Sequence, residues 1–211
     1  MADDLITKCS SLNLNDNEEN NIVDVGETVS EKEEEKTSLM LIGRLLSDRP
    51  VNVEAFKRTM NSVWALLRKV VIRAVAGDRF AFQFFHWKDK EKVMDGRPWC
   101  FDQKLLILEE VVGEEQPSEI LLNSSPFWVR LYNLPFNYRT NETMRTIASN
   151  IGRVLEVDDD ELGMDNFQRV KIMIDVSKPL SKFQKIRTRS GHIVKVECKY
   201  ERLPFFALNV G

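Results

Sequence analysis

The spacing of apolar residues between positions 39 and 110 predicts an α+β unit. A continuous apolar run is typical of a buried strand, whereas apolar residues every three or four positions indicate one face of a helix. Both patterns occur here, and Asn52 stands where the first helix would take its N-cap. The order of elements is βαββαβ, as in a ferredoxin-like or RNA-recognition-motif-like unit over about residues 38–112. The predicted strands cover 39–46, 70–76, 80–85 and 104–110, and the predicted helices cover 53–67 and 87–95.

A similar order of elements begins again after a polar connection over 113–125. Residues 183–188 and 193–200 flank Ser190-Gly191, which is a turn-prone pair, and this arrangement predicts a terminal β-hairpin. The second subunit, about residues 126–204, is therefore predicted as a βαββ unit that ends in a hairpin, without a sequence repeat of the first. Its predicted strands cover 127–132, 154–157, 169–176, 183–188 and 193–200, and its helix lies near 144–151.

Residues 1–37 differ from the rest because they are rich in Asn, Asp, Glu and Ser. Their few apolar residues would not offset the entropy lost on ordering, so disorder is predicted. Residues 1–38 hold three basic and eleven acidic residues, a net charge of −8, so the remainder carries +5 although the whole chain carries −3. The sequence thus predicts an acidic tail before a mildly basic domain at 38–204.

Composition and the first residues indicate an intracellular protein, nuclear or cytoplasmic and not secreted. No apolar run approaches the roughly 20 residues that cross a bilayer, so no membrane association is expected. The start of the chain has neither a basic nor an apolar signal region. Cys9, Cys100 and Cys198 are odd in number and widely spaced, which fits a reducing compartment.

No motif of the chain indicates catalysis, so a non-enzymatic protein without a small-molecule substrate is expected. The sequence has no GxGxxG, Walker or HExxH motif. His86 and His192 stand alone, and His86 is interpreted as a packed residue at a strand end. The acidic run 158–161 is interpreted as a solvated loop, and the aromatic run 80–85 as a core strand with Phe80, Phe82 and Phe84 inward.

Two strands of the second subunit alternate between apolar and polar residues. Phe127, Val129 and Leu131 share one face of strand 127–132, and the other face is polar and aromatic. Two interpretations of this second face remain open. In one, its rings stack bases and its cations meet phosphates; in the other, it packs against the first subunit as interface core. The candidate residues on strands 127–132 and 169–176 are Trp128, Arg130, Tyr132, Arg169 and Lys171.

The predicted terminal hairpin is the most basic part of the chain. Residues 182–202 contain seven basic and two acidic residues. Such spread positive charge suits phosphate contacts without base specificity, but it equally suits a charged edge that resists aggregation. The candidate phosphate-binding residues here are Lys185, Arg187, Arg189, Lys195 and Lys199.

Several strings in order resemble a plant family called domain of unknown function 4283. The resemblance covers about residues 38–204, and the family is common among products of LINE-type retroelements, where it usually precedes a CCHC zinc knuckle. It therefore implies a retroelement origin and a role in nucleic-acid binding. The strings include Leu41-Ile42-Gly43-Arg44-Leu45-Leu46, Gly96-Arg97-Pro98-Trp99, Phe127-Trp128-Val129-Arg130-Leu131-Tyr132-Asn133-Leu134-Pro135 and Tyr200-Glu201-Arg202-Leu203-Pro204.

The end of the chain departs from this family pattern. Ala207 and Val210 stand where the first two knuckle cysteines belong, and Gly211 precedes the positions of the remaining ligands. A zinc knuckle needs four ligands in a tetrahedral array. Residues 205–211 are therefore interpreted as the remnant of a truncated knuckle, and neither zinc nor another cofactor is expected.

Together these patterns predict weak, largely sequence-independent binding of RNA or single-stranded DNA by a non-catalytic domain. The alternative is a protein-interaction or self-association module, as a degenerate or domesticated fragment. A continuous basic face would favour the first, and a contiguous exposed apolar patch the second.

Overall fold

A computed structural model describes residues 29–75, 78–158 and 165–204 and confirms a mixed α+β fold with two antiparallel five-stranded sheets. In the described part of the chain, no helix is long and apolar enough to cross a membrane. The helices are α1 (Glu31–Ser38), α2 (Val53–Trp64), α3 (Trp87–Asp95), α4 (Asn141–Ser149) and a 3₁₀ turn (Phe136–Tyr138). The strands are β1 (Met40–Leu45), β2 (Val71–Ala74), β3 (Arg79–Gln83), β4 (Trp99–Phe101), β5 (Lys104–Glu110), β6 (Ser124–Tyr132), β7 (Arg153–Val157), β8 (Phe167–Asp175), β9 (Phe183–Arg187) and β10 (Ile193–Tyr200).

The first sheet has the strand order β2-β3-β1-β5-β4 and one face packed against helices α2 and α3. The Asn52 side chain caps α2 as predicted, since its Oδ1 accepts a hydrogen bond of 3.0 Å from the Ala55 amide. Phe80, Phe82 and Phe84 are buried as predicted. The aromatic run therefore belongs to the core, where Phe82 packs with the rings of α2.

The second sheet has the strand order β7-β8-β6-β10-β9, with β6 and β8 as long central strands. Helix α4 packs on its apolar face through Met144, Ile147 and Ala148. Gly152 follows that helix where the chain passes β8 so closely that a Cβ atom would collide with the Met173 carbonyl group. Only glycine permits this close approach.

The two sheets share one hydrophobic core. The face of the first sheet that is turned away from α2 and α3 carries Ile42, Leu105 and Ile107, which cluster with Phe127 and Val129 of the second sheet. Both sides of the contact are apolar, so burial there removes hydrocarbon from water on each sheet at once. All elements from β1 onward lie in one compact unit that begins at Glu35.

The connection between the sheets completes this core. Ile120 and Leu122 are buried in the shared cluster. Arg79 of β3 holds the connection in place, because its Nη1 donates to the Ile120 carbonyl at 2.8 Å and also to the Pro117 carbonyl. This face of the first sheet is consequently occupied by protein.

The prediction of disorder up to residue 37 is wrong for its described end, because Glu31–Ser38 forms α1. The physical reason is a cap at the helix start, where the amide and the hydroxyl of Ser30 both donate to the Glu33 carboxylate, at 3.2 and 3.1 Å. Three glutamates in the first turn also stabilise the helix, because negative charge interacts favourably with the positive end of the helix dipole. Residues 1–28 and 205–211, which carry the rest of the predicted tail and the predicted knuckle remnant, lie outside the described residues.

Candidate nucleic-acid interface

The face of the second sheet opposite its core carries most of the predicted binding residues. Residues directly paired across antiparallel strands point to the same side, so the register identifies this face. Trp128 pairs with Lys171, and Arg130 pairs with Arg169 on one side and Lys199 on the other. We call it the basic–aromatic face, formed by Trp128, Arg130, Tyr132, Phe167, Arg169, Lys171, Phe183, Lys185, Arg187, Lys195, Glu197 and Lys199.

The basic–aromatic face is built from rows that run across the strands. One row crosses four strands through Phe183, Glu197, Tyr132 and Phe167. The rings of Tyr132 and Phe167 lie 5.3 Å apart between centroids. Because neighbouring strands are about 4.8 Å apart, such a row places side chains from four strands next to one another on one surface.

Every aromatic ring of the two central strands on this face has a cation over it. The Arg169 guanidinium lies 4.1 Å from the Trp128 ring centroid, and the Arg130 guanidinium lies 4.6 Å from that of Phe167. Lys199 Nζ lies 4.6 Å from the Tyr132 centroid. These contacts hold the cations near the rings, where base stacking and phosphate contact would occur together.

Glu201 ties the two central arginines together. Its Oε1 accepts from Arg130 Nε at 2.7 Å and from Arg169 Nε at 3.0 Å, and its Oε2 accepts from Arg169 Nη2 at 2.8 Å. Partial burial alone would raise the pKa of the Glu201 carboxyl, but the hydrogen bonds from Arg169 and Arg130 outweigh burial and hold this pKa below its ordinary value. Glu201 is therefore a carboxylate fixed in the middle of a basic surface.

The hairpin β9–β10 extends the face to the sheet edge. Lys185 pairs with Lys195, so the two ammonium groups share one side of the sheet. Lys195 Nζ lies 4.0 Å from the ring centroid of Phe183, a half-exposed aromatic residue on the edge strand. Arg189 lies in the turn beyond β9, where its backbone amide donates to the Tyr138 hydroxyl at 2.7 Å. Arg189 is thus the predicted binding residue that the strands do not place on the face.

The structure contradicts the interpretation in which Trp128 and Tyr132 form interface core. The first sheet packs on the opposite, apolar face of β6, through Phe127 and Val129. Trp128 and Tyr132 are only partly buried, and the Arg130 side chain is 41% exposed. The physical reason is that burial of the charged side chains Arg130, Arg169 and Lys171 would cost more free energy than burial of the apolar side chains on the opposite face of the same strands.

Sequence reasoning missed Phe167, Phe183 and Glu201. The alternation of Arg169 and Lys171 continues back to Phe167, so a strand started two residues earlier would have revealed it. Phe183 alternates with Lys185 and Arg187 along its strand, so the same alternation would have placed it on their face. Glu201 had no local signal, because its partners are 71 and 32 residues away in sequence.

Two other titratable groups singled out in the sequence, His86 and Asp158, have structural partners, whereas the His192 side chain is exposed. His86 caps α3, since its Nδ1 accepts from the Lys88 amide at 3.1 Å, and its ring stacks on Trp87. Asp158 contacts Arg169 Nη1 at 3.3 Å, and residues 159–161 of the acidic run lie outside the described residues.

Two family matches cover separate parts of this fold. Residues 33–119 match the family named Domain of unknown function (DUF4283). The DUF4283 region thus spans the first sheet and the start of the connection, which confirms the resemblance for that part of the chain. Residues 174–211 match a family described as Zinc knuckle, which covers the end of β8 and the hairpin β9–β10.

The second match corrects the prediction that the zinc knuckle is missing. The prediction was made from Ala207, Val210 and Gly211, whereas the match extends over the hairpin before them. The donors present do not fit a four-ligand zinc site: this segment holds one cysteine, Cys198, and one histidine, His192. Burial raises the pKa of the Cys198 thiol to about 11, which opposes the thiolate that zinc requires. Within the described ranges, no three His, Cys, Asp or Glu side chains are grouped for a metal.

The chain is also similar to two individual proteins. An uncharacterized protein of Arabidopsis thaliana is 32% identical over 117 residues, which cover 54% of this chain and 37% of that protein. The chain therefore matches little more than a third of that relative's length. A solved structure titled "Sex-lethal RNA recognition domains 1 and 2 from Drosophila melanogaster" has a TM-score of 0.27 and 15% identity, covering 64% of this chain and 85% of that one. So low a TM-score does not establish a common fold.

Proposed function

We propose that the protein binds single-stranded RNA or DNA, without catalysis, on the basic–aromatic face. One observation carries the proposal: the rings of Trp128, Tyr132 and Phe167 lie on two adjacent strands, and each has a cation within 4.6 Å of its centroid. Alternating rings and cations match the alternating bases and phosphates of a nucleic-acid strand.

Unpaired bases suit this face better than a duplex does. The aromatic rings lie on the surface of the sheet, where a base can reach them from solvent. A base can stack on such a ring only when it is not already stacked within a duplex. Each base stacked on an aromatic side chain contributes about 1–3 kcal/mol to binding. Stacking tolerates any base, because every base has a π-face. The expected preference is therefore for single strands over duplexes of the same length.

Weak sequence preference follows from the kinds of side chain on the face. Lysine and arginine bind phosphates at any sequence, and stacking tolerates all four bases. Asn and Gln, whose amide side chains recognise the edge of adenine, are absent from the residues that form the basic–aromatic face. The intracellular location and the retroelement origin expected from the sequence stay predictions.

A second candidate is a protein-interaction or self-association module built on the first sheet. Leu67, Phe85 and Trp87 are exposed, and Val71 of the edge strand β2 is 41% exposed. Strand β2 pairs with β3 alone among the described strands, so its other edge is free to take a further strand. Light scattering of the free protein over a concentration series tests this candidate directly.

The test of the main proposal is fluorescence anisotropy of labelled single-stranded RNA, single-stranded DNA and duplex DNA across a salt series. The variant Lys185→Gln/Arg187→Gln/Lys195→Gln removes three charges from the face. The slope of log affinity against log salt should become shallower by about 2, since a single-strand phosphate contact contributes about 0.7. The matched control Arg58→Gln/Lys69→Gln/Arg145→Gln removes three exposed cations that lie off the face.

Equal losses in the two triple variants would show that net charge, and not this face, governs binding. Absence of binding at low salt, together with a dimer in light scattering, would favour the second candidate. Stronger binding to duplex than to single strands would contradict the stacking part of the proposal.

A further inference from the structure

The Arg130–Arg169 pair has the geometry of an anion site that is filled by the chain itself. Glu201 receives a two-pronged contact from Arg169, through Nε and Nη2, and a third hydrogen bond from Arg130. Guanidinium groups bind carboxylates and phosphates with the same fork of parallel donors. A phosphate at the position of the Glu201 carboxylate would therefore meet the same donors.

We propose that Glu201 occupies a phosphodiester-binding site in the free protein and leaves it when a nucleic-acid phosphate arrives. This inference rests on the proposed function and adds to it a specific exchange of one anion for another. The Glu201 carboxylate competes with solvent anions for the two arginines. It thereby lowers the affinity of the centre of the face for nucleic-acid phosphates.

The surroundings of the carboxylate allow such an exchange. The side chains of Arg130 and Arg169 are 41% and 33% exposed, so a phosphate from solvent can reach both guanidinium groups beside the Glu201 carboxylate, which is 20% exposed. The backbone amide of Glu201 donates to the Trp128 carbonyl at 2.8 Å, so the main chain stays anchored while the side chain moves. The Trp128 ring supports the Arg169 guanidinium from the other side, which keeps this donor in place after the carboxylate has gone.

Other charged groups surround the exchange without replacing Glu201. Asp158 contacts Arg169 at 3.3 Å through Nη1, the nitrogen that Glu201 leaves to it. Glu197 lies on the same face and pairs with Lys199 at 3.7 Å. Because Glu197 carries the same charge but contacts neither arginine in the described structure, it provides the matched control.

The test compares Glu201→Gln with Glu197→Gln in anisotropy titrations of a single-stranded oligonucleotide, using the full chain. Glu201→Gln should bind more tightly than the native protein, and its salt slope should steepen by about 0.7, the contribution of the one phosphate that takes the place of the carboxylate. Between 50 and 200 mM salt its affinity should then fall about 2.6-fold more than the native affinity does. Glu197→Gln should leave the slope unchanged.

A second measurement, on the native protein, covers the case in which Glu201→Gln does not fold. The Nε–Hε resonances of Arg130 and Arg169 should shift when the oligonucleotide is added, because their acceptor changes from carboxylate to phosphate. Unmoved resonances, or a folded Glu201→Gln variant that binds no better than Glu197→Gln, would overturn the exchange and leave Glu201 as a brace for the arginines. Absence of binding by the native protein and both variants would overturn the proposed function itself.

Discussion

The Arg169 guanidinium lies over the indole ring of Trp128, 4.1 Å from its centroid, while its edge is bound by Glu201. The cation is therefore held from below by a ring and from the side by a carboxylate. A guanidinium plane can itself carry a stacked base, so the Trp128–Arg169 pair presents a preformed stacking surface at the centre of the face.

Replacement of Trp128 by alanine should weaken single-strand binding about tenfold or more. The change removes one stacking position, worth about 1–3 kcal/mol, and also the support of Arg169. Because Trp128 is only partly buried, the melting temperature should change little. Anisotropy measures the affinity, and Trp87→Ala is the control, since Trp87 is 57% exposed on helix α3 of the first sheet. A similar loss in both variants would argue against a site on the second sheet.

Replacement of Phe183 by alanine should weaken binding only for oligonucleotides long enough to reach the hairpin edge. Phe183 is 43% exposed, so its loss should cost little stability. A series of oligonucleotides of increasing length, measured against the native protein, shows where the difference begins. Ile193→Ala is the control, because Ile193 is an exposed apolar residue of the same hairpin without an aromatic ring. No dependence on length would exclude Phe183 from the path of the strand.

Replacement of Ile107 by alanine should lower the free energy of unfolding by about 2–5 kcal/mol, the usual cost of a cavity in a packed core. Ile107 has no exposed surface and joins the cluster shared by the two sheets. Urea unfolding measures the free energy, and hydrogen exchange of the backbone amides should show loss of protection in both sheets. Leu121→Ala, at a residue that is 77% exposed in the connection, should have little effect. Loss of protection confined to the first sheet would contradict a shared core.

The stability contributed by Glu201 should depend on pH. Its folded-state pKa lies below its ordinary value, so its contribution is fully present above the unfolded-state pKa of about 4.3 and is lost as pH falls through the folded-state pKa. The difference in unfolding free energy between the native protein and Glu201→Gln should accordingly shrink below about pH 4.3. Urea unfolding at several pH values measures this difference. A difference that grows toward acid pH would have the wrong sign for a depressed pKa.

The spacing of apolar residues predicted most of the described helices and strands, because this spacing follows directly from the geometry of each helix or strand. Helix α3 spans Trp87–Asp95 and strand β5 spans Lys104–Glu110, the same bounds that the sequence indicated. Strand β4 was missed because three residues are too few for a period. It is joined to β5 by a turn in which Asp102 and Gln103 adopt positive φ, a conformation that Asp favours but Gln rarely takes.

The candidate site divides in the same way. Alternation along β6 separated Phe127 and Val129 from Trp128 and Arg130, and the register confirms this separation. Alternation is a local consequence of strand geometry, so it predicts from the sequence which residues share a face. It does not predict which of the two faces meets the first sheet, or that Glu201 bridges two arginines on different strands. Those contacts join residues far apart in the chain and form only when the chain folds, because burial favours the apolar face and leaves the charged one in water.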